Sequence, residues 1–254
     1  MKRFVTTAVA FLVTLTSFGW GATGHRATGL IAEKLLNKKA RKAIERILKG
    51  QSLAIASTWM DDIRSDSLYD HTKDWHWVTI PTGQTYEQSA KNPNGDVIQT
   101  IERIIAELKS KKFSGKEEAE RLKMLIHLIG DIHQPLHVSQ RDDRGGNAVK
   151  VMWFREETNI HRVWDSDMID ESKLSYTELA ESLEKPTEAQ IKAWQKASVR
   201  EWAAESRSYD KQVYDIGKGK LGYEYSYVNF PTVRLRLEQA GVRLAGVLND
   251  IYGR

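Results

Sequence analysis

Two short segments of the sequence pair a histidine with an aspartate four residues later. His127 and Asp131 form the first pair, and His161 and Asp165 form the second. Residues four apart are neighbours on one face of a helix, so each pair can present an imidazole nitrogen and a carboxylate oxygen together. Such pairs are able to bind a metal ion.

His137 adds a fifth nitrogen or oxygen ligand to these pairs. It follows Pro135, and because proline ends a helix, His137 can fold back from the following turn. Zinc accepts imidazole and carboxylate ligands in tetrahedral sites. The chain contains no cysteine, so any metal must be held by nitrogen and oxygen ligands.

The alternative for each pair is an ordinary hydrogen-bonded pair on a helix surface. His127 and Asp131 lie in an apolar segment that includes Met124 and Ile129. Polar groups in so apolar a segment need partners, and a metal ion is one such partner. The Gly-Gly-Asn sequence at residues 145–147 predicts only a hairpin turn by itself.

The elements that must position these side chains are mainly helical by their apolar spacing. Val149 to Phe154 is the one segment that predicts a strand, as half of a short hairpin. The predicted helices are a long or broken one from Leu30 that Gly50 ends, one capped by Asp96, one opened by a Ser114–Glu117 capping box and running to Ile132, one opened by Thr187 and Gln190, and one from about Thr232 to Tyr252. We therefore predict a mainly α protein.

Length and composition favour a single compact domain. The 254 residues are 41% hydrophobic with only 5 prolines, which excludes collagen-like, low-complexity and disordered chains. The absence of cysteine also excludes disulfide frameworks and thiol catalysis.

The first nineteen residues have the pattern of a secretory signal peptide. Lys2 and Arg3 precede an apolar run from Phe4 to Phe18, and Ser17 and Gly19 are the small residues of a cleavage site. The alternative, a retained anchor, is disfavoured because a membrane span takes about 20 apolar residues. We predict a domain at residues 20–254, in the periplasm or secreted. Cleavage removes two positive charges from a net charge of +4, so a broad surface for polyanions is not predicted.

Further motifs, taken in chain order, resemble the zinc-dependent S1/P1 nuclease family over nearly all of residues 20–254. That family cuts single-stranded DNA and RNA to 5′-mononucleotides and removes 3′-phosphates from nucleotides. The motifs are Trp20 with His25, Trp59-Met-Asp61, Trp75-His76-Trp77, the two His/Asp segments described above, Trp202-Ala-Ala-Glu205-Ser206 and Ala240 to Asn249. The resemblance implies a single-domain helical fold of the phospholipase C and nuclease type with a short β-hairpin.

The resemblance also implies three zinc ions per chain. It places one on Asp61, His76, His127 and Asp131, one on His137, His161 and Asp165, and one on the amine and carbonyl of Trp20 with His25 and the far oxygen of Asp131. Asp131 would therefore bridge two metals, and a zinc-activated hydroxide would attack the phosphate. This leaves His71 and His133 with ordinary structural roles.

The resemblance assigns the remaining site residues to the substrate. Arg64 matches an arginine that binds phosphate oxygens in the transition state, although a surface helix arginine is the alternative. Trp77 matches an aromatic residue that stacks on a base. Thr79, Arg144 and Asn147 fall at substrate-binding positions, but Thr79 replaces an aspartate and Arg144 an apolar residue. These two departures leave the base preference open.

Two alternatives to a nuclease remain at this stage. A bacterial zinc-dependent phospholipase C shares the N-terminal tryptophan and three zincs, but it has glutamate where this chain has Asp165. A non-catalytic periplasmic zinc-binding protein would need neither Arg64 nor Trp77. We therefore expect an endonuclease acting on single-stranded nucleic acid and nucleotides, monomeric, without a stable protein partner and without membrane attachment after cleavage.

Overall fold

The computed structural model describes residues 20–254, so the predicted signal peptide lies outside the described residues. The described chain is mainly α-helical, as the apolar spacing predicts. Its helices are α1 Ala22–Lys34, α2 Lys38–Ile47, α3 Leu53–Ala56, α4 Trp59–Asp62, α5 Val97–Lys109, α6 Gly115–Asp131, α7 Ile160–Arg162, α8 Met168–Glu171, α9 Tyr176–Ser182, α10 Glu188–Lys196, α11 Val199–Ser208, α12 Asp210–Val213 and α13 Tyr223–Tyr252. Ser67–His76 and Pro135–His137 are 3-10 segments, and Val163–Asp167 is a π-helical turn. None of the helices in residues 20–254 is both long and apolar enough to cross a membrane.

The strands are short and form two small sheets. β1 Val78–Thr79 pairs in parallel with β2 Val138–Ser139. β3 Lys150–Trp153 and β4 Glu156–Asn159 form the predicted antiparallel hairpin, and β5 Lys220–Leu221 pairs in parallel with β3. The sequence does not predict β5, because two residues are too few to show an alternating pattern.

Most predicted helix starts are confirmed. The Asp96 side chain accepts hydrogen bonds from the backbone N–H groups of Ile98 and Gln99, and Thr187 and Gln190 form a complete capping box. The capping box predicted at Ser114 is wrong, since its side chain makes no capping hydrogen bond. Gly115 has a left-handed φ of 58°, so the first turn of α6 lacks the regular geometry that a capping box needs.

Two helix boundaries differ in informative ways. The first predicted helix is broken, and Asn37 caps the second part by accepting a hydrogen bond from the N–H of Ala40. The last helix begins at Tyr223 rather than near Thr232, and it therefore contains Pro231. The carbonyl that Pro231 leaves unpaired belongs to Tyr227, which is 86% exposed, so water can hydrate it.

The core consists of two clusters of buried apolar side chains. One cluster contains Ile101 of α5 and Leu125 of α6, and the other contains Trp164 with Leu237 of α13. Helix α6 therefore belongs to the first cluster, and the segment around Trp164 belongs to the second. The two predicted His/Asp pairs come from these two different parts of the core.

Candidate metal centre

Asp131, the last residue of α6, is fully buried and faces histidines with both of its carboxylate oxygens. Its Oδ2 lies 2.8 Å from Nδ1 of His76 and 3.2 Å from Nε2 of His127. Its Oδ1 lies 3.3 Å from Nε2 of His25 and 4.0 Å from Nδ1 of His137. The two oxygens thus face separate sets of nitrogens.

A second group surrounds Asp165 in the π-helical turn. Its Oδ2 lies 2.9 Å from Nε2 of His161, and its Oδ1 lies 3.8 Å from Nε2 of His137. The rings of His137 and His161 are stacked with their centres 5.0 Å apart. A π-helical turn is frequent at functional sites, and here it includes Asp165.

The backbone fixes the orientation of three of these imidazole rings. Each ring donates its Nδ1–H to a backbone carbonyl oxygen. The other ring nitrogen, Nε2, is therefore directed at the carboxylate of Asp131 or Asp165. The three bonds are His127 to Ser57 at 2.7 Å, His137 to His76 at 2.7 Å and His161 to Gly145 at 2.6 Å. Metal-binding histidines are held in this way, by a hydrogen bond from the other ring nitrogen.

Two glycines make room for this arrangement. A Cβ atom at Gly130 would lie 2.7 Å from Nδ1 of His25, so only glycine allows the His25 ring to approach α6. Gly145 has a left-handed φ of 62°, and a Cβ there would lie 2.6 Å from the carbonyl oxygen of Leu136. Its conformation directs the carbonyl that accepts the His161 N–H bond.

Many polar atoms of this cluster are buried but have no hydrogen-bond partner. They are Nδ1 and Nε2 of His25, Oδ1 of Asp61, Oδ1 of Asp131, Nε2 of His161 and Oδ2 of Asp165. Each unpaired buried polar atom costs about 1–3 kcal/mol. Within two groups, His25 with His127 and Asp131, and His137 with His161 and Asp165, the candidate ligand atoms all lie within 4.8 Å of one another. Bound cations would satisfy these atoms, so the residues fit a metal centre.

The electrostatics of the cluster keep the carboxylate ionised. Burial favours the neutral form of Asp131, but the surrounding histidines, above all His127, outweigh it and hold the pKa of Asp131 well below its usual range. Burial also opposes protonation of His127, yet Asp131 and Asp61 raise its pKa to about 9. For His137, burial is the largest effect and lowers the pKa. The ionised carboxylate of Asp131 supplies negative charge for a bound cation, which would replace the proton on Nε2 of His127.

The other predicted ligands lie beside these groups. Asp61 of α4 has its Oδ1 3.8 Å from Nη1 of Arg64, whose side chain is about a third exposed. Trp20 is fully buried. The N–H of Gly21 donates a 2.7 Å hydrogen bond to the carbonyl oxygen of Asp165, which ties the backbone next to Trp20 to the second group.

A cavity of about 250 Å³ opens beside the second group. Three of the predicted substrate-binding residues line it, namely Trp77, Arg144 and Asn147, together with the candidate ligands His137 and His161. Thr79 is not among the residues that line this cavity; it lies in β1 and pairs with Ser139, which does line it. A carboxylate that the sequence analysis missed, Asp74, does line it.

One further residue near the cluster, Gln134, was also missed. Gln134 is fully buried and donates a 2.5 Å hydrogen bond from Nε2 to Oδ1 of Asp165. His133 points away from the cluster and accepts a 2.9 Å hydrogen bond at Nε2 from the buried Arg243. The position of Gln134, between Asp131 and His137, is the only sequence signal for its role.

Comparisons with known proteins identify relatives along almost the whole described chain. A family model described as S1/P1 Nuclease matches residues 20–253. Endonuclease 2 of Arabidopsis thaliana is 29% identical over 92% of this chain and 91% of its own length. Endonuclease 3 of the same plant is 31% identical over 92% of this chain and 89% of its own length. Nuclease S1 of Aspergillus oryzae is 27% identical over 97% of this chain and 96% of its own length.

Proposed function

The chain belongs to the S1/P1 nuclease family and is a hydrolase of phosphodiester bonds, and we propose that it cuts single-stranded DNA and RNA to 5′-mononucleotides. We further propose that it removes 3′-phosphates from nucleotides. One observation carries the proposal: the buried histidine and aspartate atoms that lack hydrogen-bond partners converge beside a cavity that also contains Trp77 and Arg144.

The proposed centre holds three zinc ions. Asp61, His76, His127 and Oδ2 of Asp131 would hold the first, and His137, His161 and Asp165 the second. The amine and carbonyl of Trp20, with His25 and Oδ1 of Asp131, would hold the third. The separation of the histidines around the two Asp131 oxygens supports a bridging role for this carboxylate.

Bound zinc lowers the pKa of a coordinated water to about 7 and neutralises charge on a phosphate. The chain's own residues orient the substrate around that chemistry. Arg64 lies within 3.8 Å of the candidate ligand Asp61, and its partly exposed guanidinium can bind two phosphate oxygens at once. We propose that this contact strengthens as negative charge develops in the transition state.

The cavity would hold the base of the nucleotide being cleaved. Trp77 is 37% exposed at its rim, so its indole is available for stacking. Base–aromatic stacking contributes about 1–3 kcal/mol and tolerates every base. Arg144 and Asn147 line the same cavity, and Thr79, beside the lining residue Ser139, stays a predicted substrate-binding residue.

The test combines bulk zinc analysis with activity on single-stranded DNA, RNA, 3′-AMP and lecithin. We expect three zincs per chain and cleavage of the first three substrates only. Lecithin cleavage without action on nucleic acid would establish the phospholipase alternative, and zinc binding without hydrolysis would establish a storage role. Asp131→Asn should lose zinc and nearly all activity while keeping its helical content, because a neutral amide cannot balance two cations.

The N-terminal boundary has its own test. We propose that residues 1–19 are a signal peptide, and that the released residues 20–254 act as a monomeric enzyme in the periplasm or outside the cell. Cleavage would then create the free α-amine of Trp20, which can bind zinc once deprotonated. A form with one extra methionine before Trp20 should bind one zinc fewer, because an amide nitrogen has no available lone pair. Equal zinc content in both forms would refute this role of Trp20.

A further inference from the structure

The cavity beside His137 and His161 contains one carboxylate, that of Asp74 in the 3-10 segment Ser67–His76. Its Oδ2 accepts a 3.0 Å hydrogen bond from Nδ2 of Asn94. Among the described residues, Oδ1 of Asp74 has no hydrogen-bond partner, and the neighbouring Lys73 is engaged by Asp70 at 2.7 Å. Asp74 therefore keeps Oδ1 and the second lone pair of Oδ2 as acceptors at the cavity, and Asn94 restrains the direction of the carboxylate.

Lys73 lines the cavity as well but is paired with Asp70, so the available positive charge there comes from Arg144. Its backbone has a left-handed φ of 60°, and its carbonyl oxygen accepts a hydrogen bond from the side chain of Asn147 at 3.0 Å. Within residues 20–254 its guanidinium forms no ion pair. The cavity thus combines a stacking surface, Trp77, with a group that only accepts hydrogen bonds and a group that only donates them.

We propose that Asp74 reads the edge of the base in this cavity and gives the enzyme a preference for guanine. This inference rests on the proposed function, since it assumes that the cavity holds the base of a nucleotide. Unpaired bases are recognised by hydrogen bonds along their Watson–Crick and Hoogsteen edges.

Guanine matches the two charged groups best for a chemical reason. Its Watson–Crick edge presents N1–H and N2–H donors side by side, which a carboxylate such as Asp74 accepts together. Its O6 and N7 acceptors form the bidentate pattern that arginine binds. Adenine and cytosine offer the carboxylate a single amino group. Uracil and thymine flank their one N–H with two carbonyl oxygens, which repel a carboxylate.

Calorimetric titration of the zinc-loaded protein with 5′-GMP, 5′-AMP, 5′-CMP and 5′-UMP tests the inference without requiring turnover. We expect 5′-GMP to bind about tenfold more tightly than 5′-UMP, as one good bidentate contact provides. Asp74→Asn should reduce that ratio to nearly one, because the amide replaces one acceptor oxygen with a donor. Zinc content is measured for each variant, so that loss of the metal centre is recognised.

Asp142→Asn is the matched control. Asp142 is an exposed carboxylate in the loop before Arg144 and does not line the cavity, so this change removes the same charge nearby. It should keep the full preference for 5′-GMP. Equal binding of 5′-GMP and 5′-UMP by the natural protein would overturn the inference, as would a preference that survives in Asp74→Asn. If the protein binds 5′-GMP selectively but cleaves no nucleic acid, the proposed function fails and the base recognition stands.

Discussion

Gln134 holds one of the two carboxylates on which the candidate metal centre depends. Its Nε2–H group donates a 2.5 Å hydrogen bond to Oδ1 of Asp165, which leaves Oδ2 directed at Nε2 of His161. Its own Oε1 accepts from the backbone N–H of Leu136 in the turn that carries His137. One fully buried amide therefore connects both ends of the second ligand group.

We predict that Gln134→Met weakens zinc binding at this group by about 10- to 100-fold, the usual effect of losing a partner that orients a metal ligand. A hydrogen bond to a charged group contributes about 1.5–3 kcal/mol, and tenfold in affinity corresponds to about 1.4 kcal/mol, so the two estimates agree. Methionine keeps the length of the side chain but cannot donate to Asp165. The measurement is the number of zinc ions retained at increasing concentrations of a competing chelator. In protein loaded with cobalt in place of zinc, the visible absorption of the cobalt ion reports on the ligands of this group.

Gln140→Met is the matched control, since Gln140 lies in the same region and its one side-chain hydrogen bond within residues 20–254, from Thr82, is long at 3.3 Å. It should release zinc at the same chelator concentration as the natural protein. If Gln134→Met needs the same chelator concentration as the natural protein to release its zinc, then Gln134 does not orient Asp165 for metal binding. A loss of helical content without a change in chelator sensitivity would assign Gln134 to the fold alone.

Three other predictions address separate parts of the molecule. Arg64→Ala should retain all zinc and lower kcat rather than raise KM alone, because its contact is proposed to act on transition-state charge; an unchanged kcat would contradict this. Gly130→Ala should lose one zinc ion and destabilise the protein, although alanine normally favours helices, since the new Cβ would lie 2.7 Å from the ring of His25. Burial and Glu184 raise the pKa of Glu238 to about 7, above the ordinary value of 4.5, so ionisation removes stability as pH rises between these values. Urea unfolding should show Glu238→Gln gaining about 1–2 kcal/mol over the natural protein at pH 8 and little at pH 4; equal gains at both would refute the assignment.

The sequence predicted the local geometry of the centre because that geometry depends on helical spacing. The i, i+4 rule places His127 beside Asp131 and His161 beside Asp165, and the structure confirms both contacts at 3.2 Å and 2.9 Å. The helix break before His137 is confirmed as well, but α6 already ends at Asp131, and Pro135 begins the 3-10 turn instead of ending the helix. These features each depend on fewer than a dozen consecutive residues, which a single sequence can reveal.

Features that depend on distant residues could not be predicted in this way. Arg243 donates to the ring of His133, which is 110 residues away in the sequence, and the buried Arg236 bonds to the carbonyl of the same residue. Asp74 reaches the cavity because the 3-10 segment is folded against residues after 136. Single-sequence patterns contain no signal for such contacts, so neither the contacts of His133 nor the place of Asp74 at the cavity could be predicted.

The irregular segments explain how one chain gathers so many ligands. A regular helix presents only residues three or four apart on one face, so it can supply a pair such as His127 and Asp131 but not a full ligand set. Helix α6 ends at Asp131, and the 3-10 turn after it brings His137 back to within 4.0 Å of the Asp131 carboxylate. On the other side, the π-helical turn Val163–Asp167 carries Asp165 to the same centre from the second cluster of the core. Because each cluster supplies its own pair, correct packing of both halves of the core is a condition for assembling the metal centre.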